Sequence, residues 1–230
     1  QGRAALDEPE RGNAIHGLVR WLPWRLGSRS EDTVTLGCVL HPQPGYPWRL
    51  ELTVAYRLSP AGLTVDVQAT NASGASAPFG IGFHPYLTVG VSVDRASLRL
   101  PASGRLVTDA RALPVGEEEV EGTAFDFATA RAIGDTQLDT CFTGLRREDQ
   151  ERCRARVEAG DRAVEIWADE NFGYLQAYTG DTLDPIARRR QSIAIEPMTC
   201  PPNAFATGID LIRLAPGGTW SGEWGIVPSR

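Results

Sequence analysis

The sequence predicts an all-β protein, a large antiparallel β-sandwich, from three observations. Residues 49–71 alternate apolar and polar side chains on both sides of a turn sequence. No segment keeps apolar residues at helical spacing over the roughly 10 to 12 positions that an amphipathic helix needs. The 24 glycines and 16 prolines supply turn residues throughout the chain. Many short strands joined by turns are therefore favoured over helices.

The first predicted hairpin is the stretch RLELTVAYRLSPAGLTVDVQATN. Its SPAG segment contains residues typical of a turn and separates two runs in which apolar and polar residues alternate. The apolar faces of the two runs consist of Leu50, Leu52, Val54 and Tyr56 in the first and Leu63, Val65, Val67 and Ala69 in the second.

Later segments continue the pattern of short strands. EAGD separates RARV from AVEIWA in residues 153–169 and predicts a second hairpin. ASLRLP and GYLQAYTG are further predicted strands, whereas EEEVEGTAFDF is predicted to be a turn or a loop. No repeat, low-complexity tract or linker divides the chain, so one domain over residues 1–230 is predicted.

Composition excludes several functional classes. Hydrophobic residues make up 42% and charged residues 23% of the chain, as in globular proteins. A net charge of −6 argues against a nucleic-acid partner and does not favour anionic membranes. No apolar run approaches the ~20 residues of a membrane span. QGRAALDEPERGN lacks the features of a signal peptide, so a cytoplasmic protein is predicted, either monomer or homodimer.

Motifs for cofactor chemistry are not found in the sequence. There is no Cys/His cluster at metal-ligand spacing, no GxSxG elbow and no phosphate loop. We therefore expect no metal and no nucleotide cofactor. The four cysteines are predicted to be free, partly buried thiols in a reducing compartment, since none forms a CxxC pair: Cys38, Cys141, Cys153 and Cys200.

The segment GNAIHGLVRWLPW concentrates polar and aromatic side chains. His16, Arg20 and Trp21 lie close together there, with Trp24 at the end. One interpretation is a loop packed by its tryptophans. The other is a carbohydrate site, because sugar rings combine an apolar C–H face with a rim of hydroxyls. The density of large polar-tipped residues in a predicted loop favours the second interpretation.

FGIGFHPYL places a histidine in an apolar, glycine-spaced run, where His84 is followed by Pro85 and Tyr86. Such a histidine is more often structural than catalytic. With an ordinary pKa of ~6.5, however, it can donate or accept a proton at neutral pH. Taken alone, the stretch favours a structural role for His84.

In SIAIEPMTCPPNAF, Glu196 ends an apolar strand. Alternation places Ile193 and Ile195 on one face and Ala194 with Glu196 on the other. Burying an unpaired carboxylate is costly and would raise its pKa towards the range of a general base. A strand-end carboxylate in water is an equally good interpretation.

Two further residues carry weaker signals. Asp139 in QLDTCFTGL precedes an apolar run, where aspartate is common turn chemistry. His41 lies in the turn-like HPQPGYP and is predicted to be a surface residue.

Taken in order, NAIHGLVRW, GFHPYL, LDTCF and IEPMTCPPNAF resemble the aldose 1-epimerase (mutarotase) family. The resemblance is strongest to the bacterial branch whose second histidine lies in an HPY triplet. YLQAYTGDTL and LAPGGTWSGEWGI also resemble late strands of the family, so the resemblance covers essentially the whole chain.

The resemblance implies a galactose-mutarotase-like β-supersandwich with a sugar cleft and no cofactor. Glu196 aligns with the general base, His84 with the general acid, and His16 with the other active-site histidine. Asp139 aligns with a carboxylate that holds sugar hydroxyls. The resemblance more weakly implies that the cleft is also lined by Arg20, Trp21, Tyr86 and Gln176.

The sequence departs from the family at its start. Members have N-terminal strands with an Asn-Arg pair ahead of the first histidine, and here no such pair precedes His16. We therefore expect those strands to be lacking. Two alternatives to a hexose mutarotase follow: a carbohydrate-binding relative without turnover, and an epimerase of an anionic sugar (a hexose 6-phosphate or a sulfonated hexose), for which ARRRQ is the weak signal.

Overall fold

The computed structural model describes residues 6–148 and 151–229, and its regular structure is almost entirely β-strand. Within that part of the chain the only α-helix is the four-residue α1 (Ala204–Thr207). The predicted all-β class is confirmed. The strands are β1 (Arg25–Arg29), β2 (Thr33–Leu40), β3 (Leu50–Ser59), β4 (Gly62–Asn71), β5 (Ala77–Phe79), β6 (Tyr86–Leu87), β7 (Ser97–Arg99), β8 (Gly104–Thr108), β9 (Pro114–Glu119), β10 (Arg131–Ala132), β11 (Asp139–Thr143), β12 (Cys153–Ala159), β13 (Arg162–Ala168), β14 (Tyr174–Tyr178), β15 (Ile193–Met198), β16 (Ile212–Leu214) and β17 (Thr219–Ser229).

These strands form two large sheets and one small one. The nine-stranded sheet has the order β1-β2-β3-β4-β17-β13-β12-β7-β10, and the six-stranded sheet has the order β6-β15-β14-β11-β8-β9. A two-stranded sheet pairs β16 with β5. Strand β17, late in the chain, lies between β4 and β13, so the nine-stranded sheet is completed by pairing across long sequence distances.

Both predicted hairpins are present. β3 pairs with β4 and β12 pairs with β13, each antiparallel. Gly62, in the turn of the first hairpin, has φ +118°, and a Cβ at this position would lie 2.2 Å from the carbonyl oxygen of Ile226. Only glycine fits there, because the conformation is strained for other residues and β17 approaches closely.

The prediction for residues 117–127 was wrong in its first part. Glu117 to Glu119 belong to β9, which pairs with β8 at the edge of the six-stranded sheet. Alternation of apolar residues gives no signal there, because this edge strand is lined by carboxylates. Charged side chains are common on edge strands because they discourage pairing with another chain.

The main core lies between the two large sheets. The nine-stranded sheet contributes Val65, Leu98 and Ile166, and the six-stranded sheet contributes Phe142 and Ile195, all of them fully buried. Burial of apolar side chains is the dominant stabilising contribution to such a sandwich. The predicted inward faces of β3, β4 and β15 are confirmed.

Side chains alternate along a strand, so the face of the six-stranded sheet that points away from the core carries other side chains than the core face. Glu196 of β15 pairs in register with Gln176 of β14, which pairs with Cys141 of β11. In the adjacent row, Tyr178 of β14 pairs with Asp139 of β11. Polar and aromatic groups are thus gathered on this face, called here the polar face.

The predicted free thiols are confirmed, with Cys38, Cys141 and Cys153 buried and Cys200 half-buried. His41 is exposed, as predicted. In residues 6–148 and 151–229, no helix has the length and apolar character needed to cross a membrane.

Candidate functional site

Glu196 is the buried carboxyl group of the polar face. Only 9% of the residue is exposed, and neighbouring strands flank it on both sides of β15. Burial, followed by the negative charge of Asp139, raises the pKa of Glu196 to about 8. A carboxyl group with such a pKa takes up and releases a proton near neutral pH.

His84 lies directly against this carboxyl group, with its Nε2 atom 3.3 Å from Oε1 of Glu196. Two backbone hydrogen bonds tie its segment to β15: Phe83 N–H donates to the carbonyl of Pro197, and Ile195 N–H donates to that of Pro85. Burial, and then the neighbouring His16, lower the pKa of His84 below its ordinary value. The ring of Tyr86 stacks on the imidazole at 5.0 Å.

His16 is the second histidine of the site. Its ring meets that of His84 edge to face, with 5.2 Å between the centroids. The backbone at His16 has φ 59° and that at Gly17 has φ 68°, so two successive residues adopt the left-handed conformation. A non-glycine residue in this region costs free energy, and such residues cluster at functional sites. Burial and the cation of Arg20 lower the pKa of His16.

Asp139 and Gln176 form a hydrogen-bonded pair beside Glu196. The amide Nε2 of Gln176 donates to Oδ1 of Asp139 at 2.7 Å. The charge of Asp139 raises the pKa of Glu196 and counters the lowering of the pKa of His16 and His84. Its carboxylate therefore acts electrostatically on all three titratable groups of the site.

The remaining predicted site residues differ in exposure. Trp21 is 83% exposed, with the Arg20 guanidinium 4.8 Å from its ring centroid. Trp24, in contrast, packs against the hydrophobic core, so it anchors the loop. Tyr86 is 41% exposed and offers its free surface to solvent beside His84. The structure therefore brings Glu196, His84, His16, Asp139, Gln176 and Tyr86 together, with Arg20 behind His16 and Trp21 outermost.

Sequence reasoning missed two features of this region. Tyr178 occupies the same face of β14 as Gln176, and the alternation in YLQAY was the signal that could have identified it. A cleft of about 350 Å³ opens beside Tyr86, and Leu183, Arg188 and Ser192 line it. No local pattern indicates the cleft, because its walls come from two separate segments, Tyr86 and residues 183–192.

The three consecutive arginines before β15 lie in three different environments. Arg190 donates hydrogen bonds to Asp94 and Asp181 and is largely buried. Arg189 donates to the carbonyl of Leu183. Arg188 lines the cleft, and within the described ranges no carboxylate forms an ion pair with it.

Chemically, the site offers one carboxyl group and one imidazole in contact, with the pKa of the carboxyl group raised and that of the imidazole lowered. Such a pair can move a proton in either direction. The described parts of the chain contain no group of three His, Cys, Asp or Glu side chains arranged to hold a metal ion.

Comparison with known proteins shows which family the chain resembles. The family model described as aldose 1-epimerase matches residues 5–226. The uncharacterized protein YihR of Escherichia coli K12 is 34% identical over 214 residues, which cover 92% of this chain and 67% of that protein.

Two solved structures share the fold. A galactose mutarotase-like protein from Clostridium acetobutylicum has a TM-score of 0.85 at 17% identity, covering 100% of this chain and 73% of its own. A galactose 1-epimerase from Lactobacillus acidophilus has a TM-score of 0.68 at 24% identity, covering 90% of this chain and 66% of its own. The fold, the match of the family model over nearly the whole chain and the relative at 34% identity lead to one conclusion: the chain belongs to the aldose 1-epimerase family.

Proposed function

We propose that this chain is a sugar mutarotase that interconverts the α and β anomers of a hexose without a cofactor. The observation that carries the proposal is the contact between His84 and Glu196, in which the pKa of the carboxyl group is raised and that of the imidazole is lowered. A reaction that needs one proton removed and another delivered on the same small molecule suits such a pair. Family membership supports a sugar epimerase, and the roles of the residues are our proposal.

In the proposed mechanism, the proton held by the pair first passes from Glu196 to His84, and the resulting Glu196 carboxylate removes the proton from the hydroxyl on C1. The C1–O5 bond breaks, the electron pair of the C1 hydroxyl oxygen forms the aldehyde, and O5 takes a proton from protonated His84. Rotation about C1–C2 turns the other face of the aldehyde to O5. Ring closure returns the proton from O5 to His84 and the proton from Glu196 to the C1 oxygen, so the enzyme ends as it began. Each transfer group contributes roughly 10²–10⁴-fold in rate.

The other residues would bind the sugar. Asp139 accepts hydrogen bonds from sugar hydroxyls while Gln176 fixes the orientation of the carboxylate. Tyr86 and Trp21 present aromatic surface to the C–H face of the ring. His16 supplies a further polar contact next to His84.

Replacement of Glu196 by glutamine tests the proposal. The variant Glu196→Gln should slow the catalysed anomer equilibration of glucose or galactose, followed by polarimetry or NMR, by about 10²–10⁴-fold. The matched control Glu31→Gln removes an exposed carboxylate from the β1–β2 turn and should leave the rate unchanged. An unchanged rate in Glu196→Gln would refute its role as the base. Sugar binding by calorimetry with wild-type exchange at the buffer rate would instead identify a non-catalytic carbohydrate-binding protein.

A second candidate is an epimerase of an anionic sugar, and Arg188 favours it. Arg188 lines the cleft together with Asp184, beside Tyr86, whose ring stacks on His84. A phosphate or sulfonate on the far end of a hexose would find a cation there. Rates with glucose, galactose and their 6-phosphates decide: a preference for the phosphates that Arg188→Met removes would support this candidate, and a preference for neutral sugars would exclude it.

A further inference from the structure

Arg20 contacts one of the two site histidines at a defined atom. Its Nη1 lies 2.6 Å from Nδ1 of His16. A guanidinium carries only N–H donors and no acceptor, so Nδ1 of His16 must be the acceptor in this contact. A neutral imidazole has a proton on only one ring nitrogen. The proton of His16 is therefore on Nε2.

The guanidinium itself is held in place. Nη2 of Arg20 donates to Oδ2 of Asp7 at 3.2 Å, and Oδ1 of Asp7 accepts a 2.6 Å hydrogen bond from the backbone N–H of Ile15. The ring of Trp21 lies under the same guanidinium. These contacts fix Arg20 relative to the backbone that carries His16, in the left-handed conformation described above.

We propose that Arg20 is a positioning residue that holds His16 as a neutral imidazole with its proton on Nε2. His16 then donates a hydrogen bond to the sugar from Nε2 and exchanges no proton with it, which leaves proton transfer to His84 and Glu196. The statement about the sugar rests on the proposed function, whereas the statement about the protonation state of His16 does not.

The different neighbours of the two histidines explain why His84 exchanges a proton in this proposal and His16 does not. His84 touches a carboxyl group that can share a proton with it, whereas His16 touches a permanent cation. Burial and Arg20 lower the pKa of His16 and outweigh the carboxylates that raise it. The charged and titratable groups that act on His16 are Arg20, Asp7, Glu8, Asp139 and His84.

NMR of the full chain labelled with ¹⁵N-histidine tests the inference without any activity. The chain has only three histidines, so His16→Gln and His41→Gln variants are enough to assign the signals. We expect His16 to show a protonated Nε2 and an unprotonated Nδ1 across the neutral range. In Arg20→Met, His16 should become a mixture of tautomers and protonate at higher pH. Arg20→Lys, which keeps a cationic donor, should restore part of the wild-type pattern.

Activity provides a second readout. Arg20→Met should lower kcat by about 10- to 100-fold, by analogy with the loss of a residue that orients a metal-bound histidine. The control Arg29→Met, in exposed β1, should change neither the spectra nor the rate. If Arg20→Met does not fold, Asp7→Asn, which releases the guanidinium but also removes a carboxylate that raises the pKa of His16, should move the ¹⁵N signals of His16 towards a mixture of tautomers without raising its pKa.

A proton on Nδ1 of wild-type His16, or an unchanged tautomer and pKa in both Arg20→Met and Asp7→Asn, would overturn the inference. Wild-type protein that shows the expected tautomer but does not accelerate anomer exchange would leave the role of Arg20 intact and refute the proposed function instead.

Discussion

His84 and Glu196 touch through Nε2 and Oε1 at 3.3 Å, although they come from segments far apart in the sequence. Burial destabilises the charge on both groups, which raises the pKa of the acid and lowers that of the base. Near neutral pH the pair therefore holds a single proton, and these shifts place it mainly on Glu196. Groups that interact so closely titrate as a unit with two apparent pKa values.

The first prediction concerns the pH dependence of this unit. A pair that must hold one proton gives a bell-shaped profile of kcat/KM, with an acid limb below pH ~6.5 and an alkaline limb near the pKa of about 8 that Glu196 shows. The charge of Asp139 raises the pKa of both groups. In Asp139→Asn both limbs should therefore move to lower pH.

Initial rates of anomer exchange, corrected for the buffer rate at each pH, measure this shift. Asp135→Asn removes an exposed carboxylate shortly before β11 and is the matched control. If the two limbs of the pH profile stay in place in Asp139→Asn, or move to higher pH, Asp139 does not have this electrostatic role.

The second prediction concerns stability. Because the pKa of Glu196 rises from its ordinary 4.5 to about 8 on folding, the folded chain holds a proton that the unfolded chain releases between these two values. Stability from this group is therefore present below pH ~4.5 and declines as pH rises to about 8. Glu196→Gln cannot ionise and should be more stable than wild type at pH 9, by an amount on the order of a few kcal/mol.

Thermal unfolding at pH 5 and at pH 9 tests this prediction. The difference in Tm between Glu196→Gln and wild type should be small at pH 5 and large at pH 9. Glu31→Gln, at an exposed position, should show no such growth with pH. A Tm difference that does not grow from pH 5 to pH 9 would show that Glu196 ionises in the folded chain without a penalty.

The third prediction concerns the coupling of the proposed catalytic pair. His84→Asn should lower kcat by about 10²–10⁴-fold, because it removes one of the two proposed proton-transfer groups. Groups that act as a unit are strongly non-additive. The double variant His84→Asn/Glu196→Gln should therefore lose no more activity than the worse single variant. Losses in the double variant equal to the product of the two single losses would indicate two independent functions.

Local patterns were sufficient to predict the strands of the core. In β3, β4 and β15 the burial of alternate residues is dictated by neighbours within the same segment, so Ile193 and Ile195 could be assigned to the core and Glu196 to the other face. Edge strand β9 escaped this reasoning, because its carboxylate-rich face has no apolar alternation to detect.

The site itself was predicted in its members but not in its contacts. The order of motifs identified His16, His84 and Glu196 as candidates, whereas the contacts that set their pKa values depend on how β15 and the loops meet in space. The contacts of Arg190 were equally hidden from the sequence, where it stands in a run of arginines typical of a solvent-exposed loop. Its partners Asp94 and Asp181 come from other segments, and only folding brings them together.

The fourth prediction tests the packing that positions Asp139. Phe142, in the same strand β11, is fully buried on the core face. Phe142→Ala removes most of a buried ring and leaves a cavity, so the free energy of unfolding should fall by about 3–5 kcal/mol. For a chain of this size, the loss corresponds to a decrease in Tm on the order of 10 °C.

Val115→Ala is the matched control, since Val115 is 66% exposed on edge strand β9, and its effect should stay within about 0.5 kcal/mol. At a temperature where Phe142→Ala is still folded, its rate of anomer exchange should remain within several-fold of wild type, since β11 keeps its pairing with β14. If Phe142→Ala loses no more stability than the control, the side chain of Phe142 does not lie on the core face of the six-stranded sheet. Loss of activity without loss of stability would mean that Phe142 positions Asp139 directly rather than through the general packing of the sandwich.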